Sequence, residues 1–374
     1  MNYANGLKVA NLGVLFIAMA IAAGAILGLA GCKSEPVQNL RFVLVSDRED
    51  AAAIYAQNED GSDGQRISDP SLGFCLYPSN SPDGQRVAYW ATEEPAFRED
   101  GIKAALWVSA LDGSQHTRVT GDFPSAPIIL PPAWSPDGLR LAFVAPNGTA
   151  SGANSGFAVS IVRADGSGLE REIPLPWETQ AIKWSPAGDN LLLVSLTVNN
   201  GKVYVWFNDS GELTEVARGE AAAWSPDGTE IIVADTNARS LRIVGLGGTT
   251  RTVLELAQGF PLTVAWSPDG ETVAFGTADS LTRGRSFSVY FSTSLYMLTL
   301  KSGDVETVME NNGRIHHLVW SDDSKRLLFT LVNSGARSGS DVPYANLWEV
   351  RTSNSRLSQL TQEKGFAGFG TWIP

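Results

Sequence analysis

Side chains able to do chemistry are few and scattered in this chain of 374 residues. It has three histidines, His116, His316 and His317, and two cysteines, Cys32 and Cys75. A serine hydrolase needs its nucleophile held beside a base, and no Gly-x-Ser-x-Gly elbow presents one. Carboxylates are abundant, yet Asp83, Asp137, Asp227 and Asp269 each stand inside a Pro-Asp-Gly triplet. There the side chain accepts N–H bonds from its own turn, so these four read as turn formers. Asp60-Gly61-Ser62-Asp63-Gly64 is reminiscent of a calcium loop. The acidic residue required further along is missing, and the segment reads as a hairpin. Histidines and thiols lack zinc spacing. No metal and no cofactor is therefore expected. Cys75, in Phe74-Cys75-Leu76-Tyr77, reads as a small buried residue on a strand, since nothing nearby makes an exposed electropositive setting.

The elements that would position these groups come from a repeat. Trp134-Ser135-Pro136-Asp137-Gly138, Trp184-Ser185-Pro186-Ala187-Gly188, Trp224-Ser225-Pro226-Asp227-Gly228 and Trp266-Ser267-Pro268-Asp269-Gly270 are nearly one pentapeptide. Asn80-Ser81-Pro82-Asp83-Gly84 and Trp320-Ser321-Asp322-Asp323-Ser324 are worn copies, and Trp372-Ile373-Pro374 is a partial one. Spacings of 40 to 54 residues imply a propeller, solenoid or array. Each copy follows a β-rich run, turns at Pro-Asp-Gly and leads into an apolar run such as Leu141-Ala142-Phe143-Val144. A third strand follows after a variable gap, ends in a hairpin such as Asp112-Gly113-Ser114, and a short polar fourth strand returns. Sustained helical periodicity is absent after the N-terminus, so an all-β fold is expected.

Six complete four-strand units begin at the pattern positions 80, 134, 184, 224, 266 and 320. Three strands remain at the front, near Phe42–Val45, Ile54–Ala56 and Gln65–Ile67, and one at the back, Phe369–Trp372. Together they make a seventh blade, closed by pairing the C-terminal strand beside the N-terminal ones, which removes open sheet edges. A six-bladed ring is the alternative and requires one unit not to form a blade. The recurrent tryptophans read as rings packed between blades. His316 and His317 lead into an innermost strand, from which one of them can point into the central channel.

Residues 41–374 resemble the TolB-like propeller repeats, relatives of the WD-repeat propellers, in the Trp-Ser-Pro-Asp-Gly turn, the following apolar strand and the Asp-Gly-Ser hairpin. The resemblance implies a β-propeller serving mostly as a binding platform, and carries no catalytic residue across. Between Cys32 and Arg41 there is no room for the separate N-terminal α/β domain of TolB itself, so the resemblance does not extend to a Tol-system role.

Ahead of the repeats, Lys8 precedes an uncharged run from Leu12 to Gly31 ending Leu29-Ala30-Gly31-Cys32. A basic start, an apolar core and small residues before a cut site describe a signal peptide over 1–31. The cysteine makes it resemble a bacterial lipobox, which implies Cys32 as the lipidated first residue of the mature chain and 32–40 as a tether. By the sorting rule of such lipoproteins, Lys33 and Ser34 favour the outer of two membranes. A retained transmembrane helix is the alternative. In either case the propeller faces outward. The net charge is −12, and removing 1–31, with its single Lys8, makes it more negative. That argues against nucleic acid or anionic lipid as the main partner.

In an antiparallel blade the short Pro-Asp-Gly and Asp-Gly-Ser turns share one face of the disc. The opposite face receives the long connections: residues 91–103, 121–132, 145–156, 277–292 and 333–345. Long loops on a rigid scaffold usually carry binding. They hold Arg98 in one, Arg283, Arg285, Tyr290 and Phe291 in another, and Arg337 and Tyr344 in a third. Aromatics beside arginine suit a protein or glycan contact. The expected function is a surface-anchored, non-catalytic propeller that binds a protein or envelope polymer. The alternative is an extracytoplasmic hydrolase or lyase acting on glycans or lactones with carboxylates in the channel.

Overall fold

The repeated turn forms as its residues dictate. In the copy at 134–138 the Ser135 hydroxyl donates to the Asp137 carboxylate, the Leu139 N–H donates to the same oxygen at 2.9 Å, and Gly138 takes φ +67°. Ser81 with Asp83, Ser225 with Asp227, Ser267 with Asp269 and Ser321 with Asp323 repeat the seryl bond. That bond is the main reason the Asp83, Asp227 and Asp323 carboxyls lie below the usual range. These aspartates serve their turns, as the sequence implied.

The computed structural model describes residues 40–374 except 49–50, 60–63, 93–102, 125–129, 147–155, 196–200, 284–287, 311–312, 333–344 and 362–365. Cys32, the tether, Arg98, Arg285, Arg337, Tyr344 and the core of the Asp60–Gly64 hairpin lie outside the described residues. Among the described residues there is no helix, and the strands form seven antiparallel sheets. Blade 2 has its main path over Phe74–Asn80, Arg86–Thr92, Lys103–Ala110 and Thr117–Arg118. Blades 3 to 7 follow with innermost strands Ala133–Trp134, Thr179–Trp184, Ala221–Trp224, Phe260–Trp266 and Arg314–Trp320.

Blade 1 is the composite. Leu40–Ser46, Ala53–Asn58 and Gln65–Arg66 come from the front of the chain, and Ala367–Trp372 completes it on the inside. Phe42 pairs with Trp372 and Val43 with Thr371. Every unit makes a blade, so the ring has seven, and the six-bladed alternative falls. The first strand starts at Leu40.

Apolar clusters run from blade to blade rather than inside single sheets. Ile182, Trp184 and Leu191 of blade 4 pack with Ala142, Val159 and Ile161 of blade 3. The repeat tryptophan sews five of the seven junctions. Trp134, Trp184, Trp320 and Trp372 donate from Nε1 to the carbonyls of Ser79, Ala133, Ala265 and Val319 at 2.9 to 3.2 Å, and Trp224 reaches the Lys183 carbonyl at 3.4 Å. Asn80, which replaces the tryptophan in blade 2, donates to the Trp372 carbonyl at 2.5 Å. Trp266 departs from the pattern and bonds the Gly270 carbonyl of its own turn. Arg86, Arg140 and Arg326 lie over the rings of Trp134, Trp184 and Trp372, 4.4 to 4.9 Å from the centroids.

One expected loop is not a loop. The middle strands of blade 6, Thr272–Arg283 and Ser288–Thr299, are twelve residues each and stay in register to Arg283↔Ser288. The segment 277–292, expected as an irregular insertion, is mostly a β-hairpin continuing the sheet. Its β-rich residues, among them Val289, Tyr290 and Phe291, keep the ladder going once the sheet has set its register.

Candidate functional site

The innermost strands surround a cavity of about 470 Å³ to which all seven blades contribute. At five of the seven repeat positions, the residue just before the pattern's first residue lines it: Ser79, Ala133, Lys183, Val319 and Thr371. Four of these are small, apolar or hydroxyl-bearing, and Lys183 is the outlier. The wall also carries Gln180, Glu220, Arg314, His316 and His317.

Bulges decide which of these side chains reach the axis. Register breaks between Thr179 and Ala181, between His316 and Val319, and between Leu76 and Ser79 interrupt three inner strands. Such a break adds residues to one strand and re-aims its side chains. His317 adopts φ +58°, and Tyr77 and Phe369, each likewise three residues before the repeat position, adopt +55° and +52°. Their rings converge. Tyr77 lies 4.8 Å from Phe369, and His317 meets Phe369 edge-on at 6.0 Å.

The electrostatics of the channel run opposite to those of the chain. Lys183 is wetted from the channel yet ringed by protein, and this enclosure lowers its pKa. Enclosure likewise lowers His317 to about 4, helped by the neighbouring charge of Lys183. His316 is lowered to about 3 by burial first, then by Arg314 and His317. Both imidazoles are therefore neutral at pH 7. Glu220 is the one carboxylate among the described residues of the cavity wall. Its Oε2 accepts the Thr236 N–H at 3.1 Å, and its backbone carbonyl accepts from Gln180 Nε2 at 2.6 Å.

Of the other candidates, Arg283, Tyr290 and Phe291 fall on the blade 6 hairpin, which by strand order projects from the face opposite the tight turns. His116 bonds through Nδ1 to Ser109 Oγ at 2.6 Å, which in turn meets the Tyr89 hydroxyl at 2.9 Å. It holds its sheet. Cys75 is fully buried and free, and burial raises its thiol to about 11, which keeps it protonated and inert. Among the described residues no three His, Cys, Asp or Glu side chains are grouped for a metal ion. Sequence reasoning missed Lys183, Arg314 and Glu220. A lysine where other copies have small or apolar residues was the available signal.

Residues 256–337, under a quarter of the chain, match the family described as eukaryotic translation initiation factor eIF2A. No curated protein matches the sequence. Solved structures share the architecture at low identity. TolB from Acinetobacter baumannii is 16% identical with a TM-score of 0.53, the match covering 89% of this chain and 83% of that one. A prolyl endopeptidase is 16% identical with a TM-score of 0.62, covering 88% of this chain and 48% of that one. Oligogalacturonate lyase from Vibrio parahaemolyticus is 11% identical with a TM-score of 0.57, covering 84% and 87%. The chain is thus a seven-bladed β-propeller, similar in fold to TolB and to propeller-bearing enzymes alike.

Proposed function

We propose that the protein is an extracytoplasmic binding platform, anchored through a lipid on Cys32, which captures a protein or envelope polymer on the face opposite its tight turns. The observation that carries this reading is the asymmetry of the disc. One face is built of seryl-aspartyl turns closed by their own hydrogen bonds, while the twelve-residue strands of blade 6 extend from the other. A paired hairpin offers a partner a surface with little ordering entropy left to lose. Arg283, Tyr290 and Phe291 on it are the proposed contacts, joined by Arg98, Arg285, Arg337 and Tyr344, which lie outside the described residues.

The test shortens the hairpin without touching the blade. Ala278 and its partner Thr293 are buried in the sheet, so residues 280–291 are replaced by a tight two-residue turn. The expected outcome is loss of partner capture from native membranes with an unchanged melting temperature. An unchanged set of captured partners counts against the reading.

A second reading, a hydrolase or lyase of glycans or lactones, draws on the channel, where neutral imidazoles and an enclosed lysine line a ligand-sized cavity. Among the described residues the channel wall holds one carboxylate rather than a pair, so a base there would be an imidazole or Lys183. Turnover of acidic or neutral oligosaccharides, lost in His317→Asn, would favour this reading over the platform.

A further inference from the structure

We propose that the central channel is a binding site for a small anionic molecule, whose carboxylate or phosphate group seats against the Lys183 ammonium with Arg314 bordering the same cavity. This goes beyond the platform reading, since it concerns the axis of the ring and needs no macromolecular partner.

The argument begins from an uncompensated charge. Lys183 stands in the cavity wall with its side chain open to the channel, and no described carboxylate is ion-paired with it. Glu220, the one acid among the described wall residues, has Oε2 engaged by the Thr236 N–H, while its Oε1 has no hydrogen-bond partner. Lys183 therefore brings a positive charge to the cavity of a chain whose net charge is −12. An anion entering the channel from solvent meets this ammonium with no described counter-ion to displace. Low surrounding dielectric strengthens the attraction and low-dielectric walls focus it.

Chemistry around the charge suits a polar ligand. The hydroxyls of Ser79, Thr263 and Thr371 border the same space, and His317 brings a neutral imidazole beside Lys183. The volume, about 470 Å³, falls within the range of small-molecule pockets. Apolar stretches such as Ile182 and Val264 leave room for a carbon skeleton.

Carboxylates and phosphates share this recognition chemistry, and calorimetry on the full chain in detergent separates them. Citrate and inorganic phosphate are titrated at constant ionic strength, alongside glucuronate against glucose. The expected result is saturable binding of at least one anion, glucuronate bound at least about tenfold more tightly than glucose, and a loss of about tenfold or more in Lys183→Met. Binding of citrate alone identifies a carboxylate site, and of phosphate alone a phosphate site. The proposal is overturned if no anion saturates by about 10 mM, if glucose matches glucuronate, or if Lys183→Met binds as the native chain does. Should Lys183→Met not fold, the His317 imidazole resonances of the native protein supply the readout. They shift on adding the binding anion if it enters the channel, and staying fixed overturns the proposal.

Discussion

His317 shows how much a fold can impose on one side chain. It occupies a left-handed backbone position inside a bulge, touches Phe369 edge-on, and shares the channel with Lys183. In an unfolded chain it and His316 take up protons near pH 6.5, whereas in the ring burial holds them at about 4 and about 3. The unfolded state therefore binds more protons through the window from about 6.5 to about 4. Stability rises with pH across it, so the contribution is fully present above 6.5 and is lost as pH falls toward the folded values. The charge of Arg314 acts on His316 and that of Lys183 on His317, each in the same direction as burial. Urea denaturation of the native chain at stepped pH should show this acid loss. The double variant His316→Gln, His317→Asn, in which asparagine tolerates the left-handed position, should flatten the loss by on the order of 1–3 kcal/mol. An identical slope in the double variant would show that other groups govern the acid limb.

At the scale of the element, the repeat turn does two jobs, and a single methyl separates them. Gly138 takes φ +67°, and a Cβ there would come within 3.2 Å of Arg86 Nη2, the atom that donates to the Gly138 carbonyl at 2.8 Å while its guanidinium covers Trp134. Gly303 takes φ +76° with nothing within 4 Å of the same position. Alanine at 303 should cost about 1–2 kcal/mol for the left-handed backbone alone. Alanine at 138 adds the displaced arginine, roughly a further 0.5–1 kcal/mol. Paired thermal melts check the difference, and equal costs would mean that the arginine does not bind the blades together. The turn was legible in the sequence because Pro-Asp-Gly fixes its geometry locally, and the blade count followed from seven copies of it. The channel was not. On an unbroken strand alternate residues share a face, but the extra residues around Gln180, at His317-Leu318 and at Tyr77-Pro78 reset that parity. No local rule then tells which neighbour of Trp184 meets the axis. The blade 6 hairpin escaped for the opposite reason, since length and mixed polarity read as a loop until a sheet beneath it supplied the register.

For the whole molecule the question is what keeps the ring shut. Two kinds of contact span the join between blades 7 and 1. One is ionic: Arg351 meets Glu59 at 2.7 Å, with both side chains more than two-fifths exposed. The other is the closing strand, which buries Ala367 and Trp372 against Phe42, Leu44, Leu328 and Leu347, and whose Trp372 carbonyl receives the Asn80 amide from blade 2. Exposed pairs contribute about 0–1 kcal/mol, whereas losing a buried tryptophan alone costs about 3–5 kcal/mol, a large part of a domain's net stability. Glu59→Ala should therefore leave the melting temperature within a few degrees of native. Truncation before Phe366 should abolish the cooperative transition, because it also strips the Leu40–Ser46 strand of its inner partner and leaves a bare edge. Supplying a synthetic peptide of residues 366–374 should restore the transition in proportion to its occupancy. If the truncated chain melts as the native one does, closure is not the source of cooperativity, and each blade junction must hold without the ring.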